Sequence, residues 1–318
     1  LTPNGAVSFS TTTPAGTSVI TGCADIAVVS VPQDINATVA TCNATAVAGT
    51  AQYTATYTGD SINALAPVTI VTNSPANGPR DYNDIWWGGG AEAGWGVHIS
   101  QKGLQQFVPF YVYDAAGKTS WYAMSGGTWN ADFTRITAPI YQPSGSVFSA
   151  YDVTQWRAGA PVGSGTLTFI DANNATFDYT INGVTAKKNI TRFTYSTQDL
   201  APKITVKDIW WGGERENGWG LTIAQQDRTL FAAWYTYGPD GKPIWYTMQN
   251  GTFIGTSYVG QLFTATSSPW LGVPYDAQAF RSQLVGTMTL DFRDQNNATM
   301  TYTVNGVTQT KLITRFGF

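Results

Sequence analysis

Apolar and polar positions alternate with a period of two along most of this chain. Tyr53, Ala55 and Tyr57 alternate with Thr54, Thr56 and Thr58, and Val7 and Phe9 oppose Ala6, Ser8 and Ser10. Trp95, Val97 and Ile99 fall on one face of 94–101. Successive side chains of an extended chain point to opposite faces, so this period marks strands. Turn chemistry punctuates it. Asp114-Ala115-Ala116-Gly117 and Pro239-Asp240-Gly241 separate strand pairs. Asn182-Gly183 and Asn305-Gly306 each sit between two alternating runs, the strongest short-range hairpin signal. No segment carries a convincing helical period. The pattern predicts an all-β chain, with a sandwich of short strands over 5–76 followed by antiparallel meanders of seven or eight strands each.

The meander is written twice. "DIWWGGGAEAGWGVHIS" at 84–100 returns as "DIWWGGERENGWGLTIA" at 208–224. One offset of 124 carries Glu92 to Glu216, Trp95 to Trp219, Tyr111 to Tyr235 and Trp121 to Trp245. An offset of 123 aligns 173–193 with 296–316 and Arg192 with Arg315. A repeat of about 110 residues is a whole domain rather than a solenoid turn. The expected organisation is a sandwich at 1–76, a linker at 77–83, one β-domain at 84–195, a linker at 196–207 and a second β-domain at 208–318. Each β-domain is expected to close into a barrel, which removes exposed edges, with a two-sheet sandwich as the alternative.

Composition sharpens the boundary. Residues 1–76 contain Asp25, Asp34 and Asp60 but no Lys, Arg or Glu, whereas all 12 Trp lie after residue 80. Only 12% of the chain is charged, about half the usual quarter. A net charge of −3 supplies no basic footprint for nucleic acid and no attraction to anionic lipid. No apolar run approaches the ~20 residues of a membrane span. Neither a nucleic-acid partner nor membrane insertion is expected. Cys23 and Cys42, the only cysteines, read as a disulfide formed in an oxidising compartment, which predicts a secreted protein.

Two resemblances add to this reading. "GAVSF", "GC", "ATC", "AQYTATYTGDSIN" and "VTIVT" resemble a bacterial immunoglobulin-like repeat domain of secreted surface proteins. The resemblance implies a spacer or adhesion module. That family has a further strand before "GAVSF", where this chain has only Leu1–Asn4. The expectation is either a strand donated by a neighbouring copy or partner, or a trimmed boundary. The repeat itself, with "WW-x4-E-x-GWG", the Gly-Lys…Trp-Tyr strand pair and "NGV…ITR", resembles an uncharacterised module at the C-terminal end of secreted proteobacterial proteins. This implies an accessory, non-catalytic role and names no ligand.

The candidate chemistry is sparse. Glu92 and Glu216 precede Gly-Trp-Gly, and glycosidases need two carboxylates across the scissile bond. Each copy offers one such Glu, so a structural role is favoured. Arg192 and Arg315 in the last strand are expected to pair with Glu92 and Glu216, or to stack on Trp95 and Trp219, and so lock the closing seam. His98 is the only histidine and meets Thr222 in the other copy. No His-dependent nucleophile or zinc site can therefore be built twice. No cofactor or metal is expected. Repeated aromatics remain: Trp86, Trp87, Tyr111 and Trp121, and Trp210, Trp211, Tyr235 and Trp245. Adjacent residues of a strand face opposite ways, so one Trp of each doublet can enter the core and the other can meet a ligand. The second Trp of each doublet is the better candidate. The expected function is non-catalytic adhesion, or binding of a surface glycan or other polymer, through aromatic surfaces. The alternatives are a subunit of a homopolymeric filament and a glycan-processing enzyme using Glu92 and Glu216.

Overall fold

The computed structural model describes residues 5–12, 26–27, 29–30, 38–39 and 52–59 as strands, and residues 78–197 and 200–317 with their side chains. Two compact units part at Pro79/Arg80. In the first, β1 (Gly5–Thr12) lies between β2 (Ile26–Ala27) and β5 (Gln52–Gly59), all antiparallel, with Val7 opposite Tyr57. Strands β3 (Val29–Ser30) and β4 (Thr38–Val39) form a separate pair. Cys23, Cys42 and the segment before Gly5 lie outside the described residues.

The second unit contains two closed antiparallel barrels. The first runs through β6 (Asp84–Trp87), β7 (Gly96–Lys102), β8 (Gln105–Tyr113), β9 (Thr119–Ser125), β10 (Thr128–Trp129), β11 (Arg135–Tyr141), β12 (Gly163–Phe169), β13 (Asn174–Ile181) and β14 (Val184–Arg192). Both β9 and β10 pair with β11, so they act as two pieces of one stave. The second barrel runs through β15 (Asp208–Trp211), β16 (Gly220–Gln226), β17 (Thr229–Tyr237), β18 (Pro243–Ile254), β19 (Ser257–Thr266), β20 (Arg281–Phe292), β21 (Asn297–Val304) and β22 (Val307–Arg315). Closure falls where the meander predicts it, with Arg192 opposite Trp86 and Arg315 opposite Trp210. The duplicated phrase is not one strand, however. Gly90–Glu92 and Glu214–Glu216 form short 3-10 turns that separate first strand from second.

Inward-facing aromatics fill both barrels. Trp86, Phe110 and Phe177 in the first, and Trp210, Phe292 and Tyr302 in the second, are all 0 or 1% exposed. The boundary between the units falls inside 77–83, and the residues just ahead of each barrel pack into it. Tyr82 is buried and stacks on Phe169, and Val206 is fully buried. Trp86 Nε1 donates to Tyr82 O (3.1 Å), and Trp210 Nε1 donates to Val206 O (2.9 Å). Gln101 and Gln225 clamp the same segments. Gln101 Nε2 donates to Arg80 O (3.0 Å) and Gln225 Nε2 to Ile204 O (2.9 Å). The backbone N–H groups of Tyr82 and Val206 donate in return to the two Gln Oε1 atoms.

The barrels are joined with near-twofold reciprocity. Trp121 Nε1 donates to Thr236 O and Trp245 Nε1 to Val112 O, each at 3.0 Å. Each barrel also sends a loop across the joint. Phe148 packs against Trp234, Tyr246 and Tyr302 of the second barrel. Trp270 packs against Trp95, Phe110 and Tyr179 of the first. The arriving loops press on two glycines. A Cβ on Gly94 would meet the Tyr275 hydroxyl at 2.5 Å, and one on Gly218 would meet Trp156 at 2.0 Å. Both glycines hold positive φ, 120° and 112°, which other residues rarely adopt.

A candidate ligand cleft between the barrels

The sequence candidates separate by burial. Trp86 and Trp210 are core residues, so a contact surface does not include them. Tyr111, Trp121, Tyr235 and Trp245 are 2–6% exposed and pack across the barrel joint, Tyr111 against Trp245 and Trp121 against Tyr235. The indole N–H groups of Trp121 and Trp245 donate across that joint, and the Tyr111 hydroxyl lies 2.7 Å from Thr222 Oγ1. Trp86, Trp121, Trp210 and Tyr235 hold the molecule together, and Tyr111 and Trp245 do so while also lining the cleft between the barrels. Trp87 and Trp211, the second members of the doublets, stay half-buried, and each meets one ring edge-on: Phe193 and Phe316, both at 5.0 Å.

Trp87 borders a cleft of about 450 Å³ between the barrels. That volume lies within the ~300–1,000 Å³ of small-molecule sites. Part of its lining is aromatic. Trp87 leads to Phe193, Phe193 to Tyr195 (5.8 Å), and Tyr195 to Phe231 (6.1 Å). Phe193 and Tyr195 belong to the chain between the barrels. Gln226 fixes that chain: its Nε2 donates to Phe193 O (2.7 Å) and its Oε1 accepts from Tyr195 N (2.9 Å). The lining also holds polar side chains, Thr247, Gln249 and Asn250 from β18, Thr264 from β19 and Ser282 from β20. Among the described residues no acidic or basic side chain lines the cleft. Burial raises the Tyr195 hydroxyl pKa above its ordinary value, so the phenol is a neutral group there.

The closing seam departs from expectation. Glu92 pairs with Lys188 (2.7 Å) and Glu216 with Lys311 (2.8 Å), not with the arginines. The arginines pair with Asp84 (3.0 Å) and Asp208 (2.9 Å), and stack on Trp86 and Trp210 rather than on Trp95 and Trp219. Strand direction explains this. Arg192 lies opposite Trp86, at the start of the barrel, whereas Glu92 sits past the far end of β6. The matching point on the antiparallel β14 is four residues earlier, about 13 Å away at ~3.3 Å per residue, and there Lys188 shares the inward face. Trp95 and Trp219 do meet a cation at this level, in Lys188 and Lys311 at 5.9 and 5.7 Å. Trp95 Nε1 also donates to Glu92 Oε2 (3.2 Å).

His98 is 2% exposed, and burial lowers its pKa to about 3, with Lys207 adding to the shift. Among the described residues no group of His, Cys, Asp and Glu is arranged to hold a metal ion. Asp171 and Asp294, in the two Asp-x-Asn-Asn turns, accept from the backbone N–H groups two and three residues ahead.

Sequence reasoning missed Phe193, Tyr195, Phe231, Gln249 and Asn250. A signal was present. Phe110-Tyr111-Val112-Tyr113 and Trp234-Tyr235-Thr236-Tyr237 are bulky on both strand faces, the mark of a sheet covered on both sides. That second cover is the other barrel, and the cleft lies at its margin. No family model matches the chain, and neither a curated protein nor a solved structure is significantly similar to it.

Proposed function

We propose that this protein is a non-catalytic binding protein for an extracellular polymer, and that the cleft beside Trp87 is its binding site. The observation that carries this reading is that the rings of Trp87, Phe193, Tyr195 and Phe231 line the same cleft of about 450 Å³ as the neutral amides and hydroxyls of Thr247, Gln249, Asn250, Thr264 and Ser282. Aromatic faces supply contact area at low entropic cost, and a few fixed polar groups supply orientation. Among the described residues a carboxylate pair for glycosidic hydrolysis is not part of this lining, and Glu92 and Glu216 are each held by a lysine. Secretion fits the sandwich-and-repeat organisation and is part of the same proposal.

The test is calorimetric titration of soluble polysaccharides into the whole chain and into Trp87→Ala. Binding that is lost in the variant, with its melting temperature little changed, supports the cleft. Binding that survives moves the site elsewhere.

A further inference from the structure

We propose that the ligand is a neutral polysaccharide and that Asn250 is a specificity-determining residue for it, an inference that rests on the cleft being the binding site. The two copies differ at one backbone position. In each, the stave after Met124 or Met248 carries one residue in the left-handed region. In the first barrel that residue is Gly126 (φ 70°); in the second it is Asn250 (φ 54°). Glycine adopts this conformation freely, and other residues pay for it. Asn182 and Asn305 also have positive φ, but they sit in two-residue hairpin turns, where Asn is the default. Asn250 lies inside β18, at a bulge where the register with β19 shifts between Gln249 and Thr252. Bulges and left-handed residues within strands gather where a side chain is aimed at a function.

The side chain so placed is an exposed amide at the edge of the cleft. Asn250 Nδ2 donates to Gln261 Oε1 (3.2 Å), and Gln249 Nε2 donates to Thr247 Oγ1 (2.8 Å). Among the described residues neither amide oxygen of Asn250 or Gln249 accepts a hydrogen bond. An amide presents a donor and an acceptor side by side, which matches adjacent hydroxyls of a sugar ring. Thr264 and Ser282 add hydroxyls to the same lining, and its aromatic side chains suit the apolar faces of the same rings. Among the described residues the lining is uncharged and gives no counter-charge to uronates or sulfated sugars. An apolar polymer would leave the amides without partners, which costs affinity.

The test compares the whole chain, Asn250→Gly and Trp87→Ala. Affinity electrophoresis uses gels containing galactomannan, xyloglucan or polygalacturonate, and a pelleting assay uses polyhydroxybutyrate granules. The expected result is retardation by at least one neutral polysaccharide and none by polygalacturonate. Asn250→Gly is expected to bind about tenfold more weakly, as for loss of a hydrogen-bonding group. Its melting temperature should be no lower, because glycine is the first copy's own residue. Wild-type affinity in Asn250→Gly, with loss in Trp87→Ala, overturns the role of Asn250 and leaves the cleft standing. Binding only to polygalacturonate or polyhydroxybutyrate, lost in Trp87→Ala, overturns the ligand class and again leaves the cleft. Absence of binding to every probe, or binding indifferent to Trp87→Ala, overturns the cleft together with the proposal.

Discussion

Trp270, carried by the second barrel, stacks on Tyr179 of the first with ring centroids 4.5 Å apart. Its counterpart Phe148 makes the reverse crossing and meets Tyr302 at 6.0 Å. The two plugs differ in size, and so do the walls that receive them. Trp270 lies beside Phe110, and Phe148 beside Trp234, the residue equivalent to Phe110. Each barrel therefore holds one Trp and one Phe at this level, in opposite order. Dense interiors require such compensation, because added volume strains a packed core and lost volume leaves a void.

This compensation predicts strong coupling. Phe148→Trp should overfill the second barrel and cost about 1–3 kcal/mol. Trp234→Phe should leave a void of similar cost. The double variant restores the arrangement of the first barrel, and urea unfolding should place it well above the sum of the single effects. Simple additivity would show that the two rings do not share one space.

The crossing loops also predict that a repeat does not stand alone. Residues 200–317 by themselves lack Phe148, and emptying a large aromatic site costs about 3–5 kcal/mol. Thermal unfolding of that fragment should fall roughly 10–20 °C below the second barrel in the whole chain. An equal midpoint would mean that the loop contributes no stability.

His98 predicts an acid-side weakness. Its folded pKa is about 3, below the ordinary 6.5, so between these values the unfolded chain takes up a proton that the folded chain refuses. Stability therefore falls as pH drops from 6.5 towards 3, by about 2 kcal/mol at pH 5 from this group. His98→Thr, which installs the residue found at Thr222, should flatten that slope in a pH series of urea midpoints and leave the values above pH 7 nearly unchanged.

The seam pairs predict asymmetric costs. Lys311 is 15% exposed and Glu216 30%, so solvent screens part of their attraction. Lys311→Met should cost about 1–2 kcal/mol, mainly by leaving Glu216 unpaired at the barrel mouth. Adding Glu216→Gln should recover part of that loss, read by the same urea midpoints.

Much of this architecture was legible in the sequence. Alternation, the Asn-Gly hairpins and the offset of 124 were sufficient for two meanders, and closure between the last and first strands followed. Local patterns carry that information because neighbouring strands here are also neighbours in sequence. The ion pairs were not legible, because Lys188 and Arg192 share one strand face and only register decides which reaches Glu92. Nor was the joint. Trp121 and Trp86 are equally apolar in a one-dimensional pattern, yet one faces a second barrel and the other its own interior. The cleft needed both facts, since its lining combines Trp87 of the first barrel, Phe193 and Tyr195 of the chain between the barrels, and Phe231, Gln249 and Asn250 of the second.

The covalent link between the barrels has a consequence for how this surface can change. A pair assembled from two identical chains must carry every substitution twice, once on each side of its symmetry axis. Joined in tandem, the halves keep the paired architecture, and each position is inherited separately. Gly126 and Asn250 are the outcome at one such position: one copy keeps the residue its backbone prefers, and its twin is free to present a functional group.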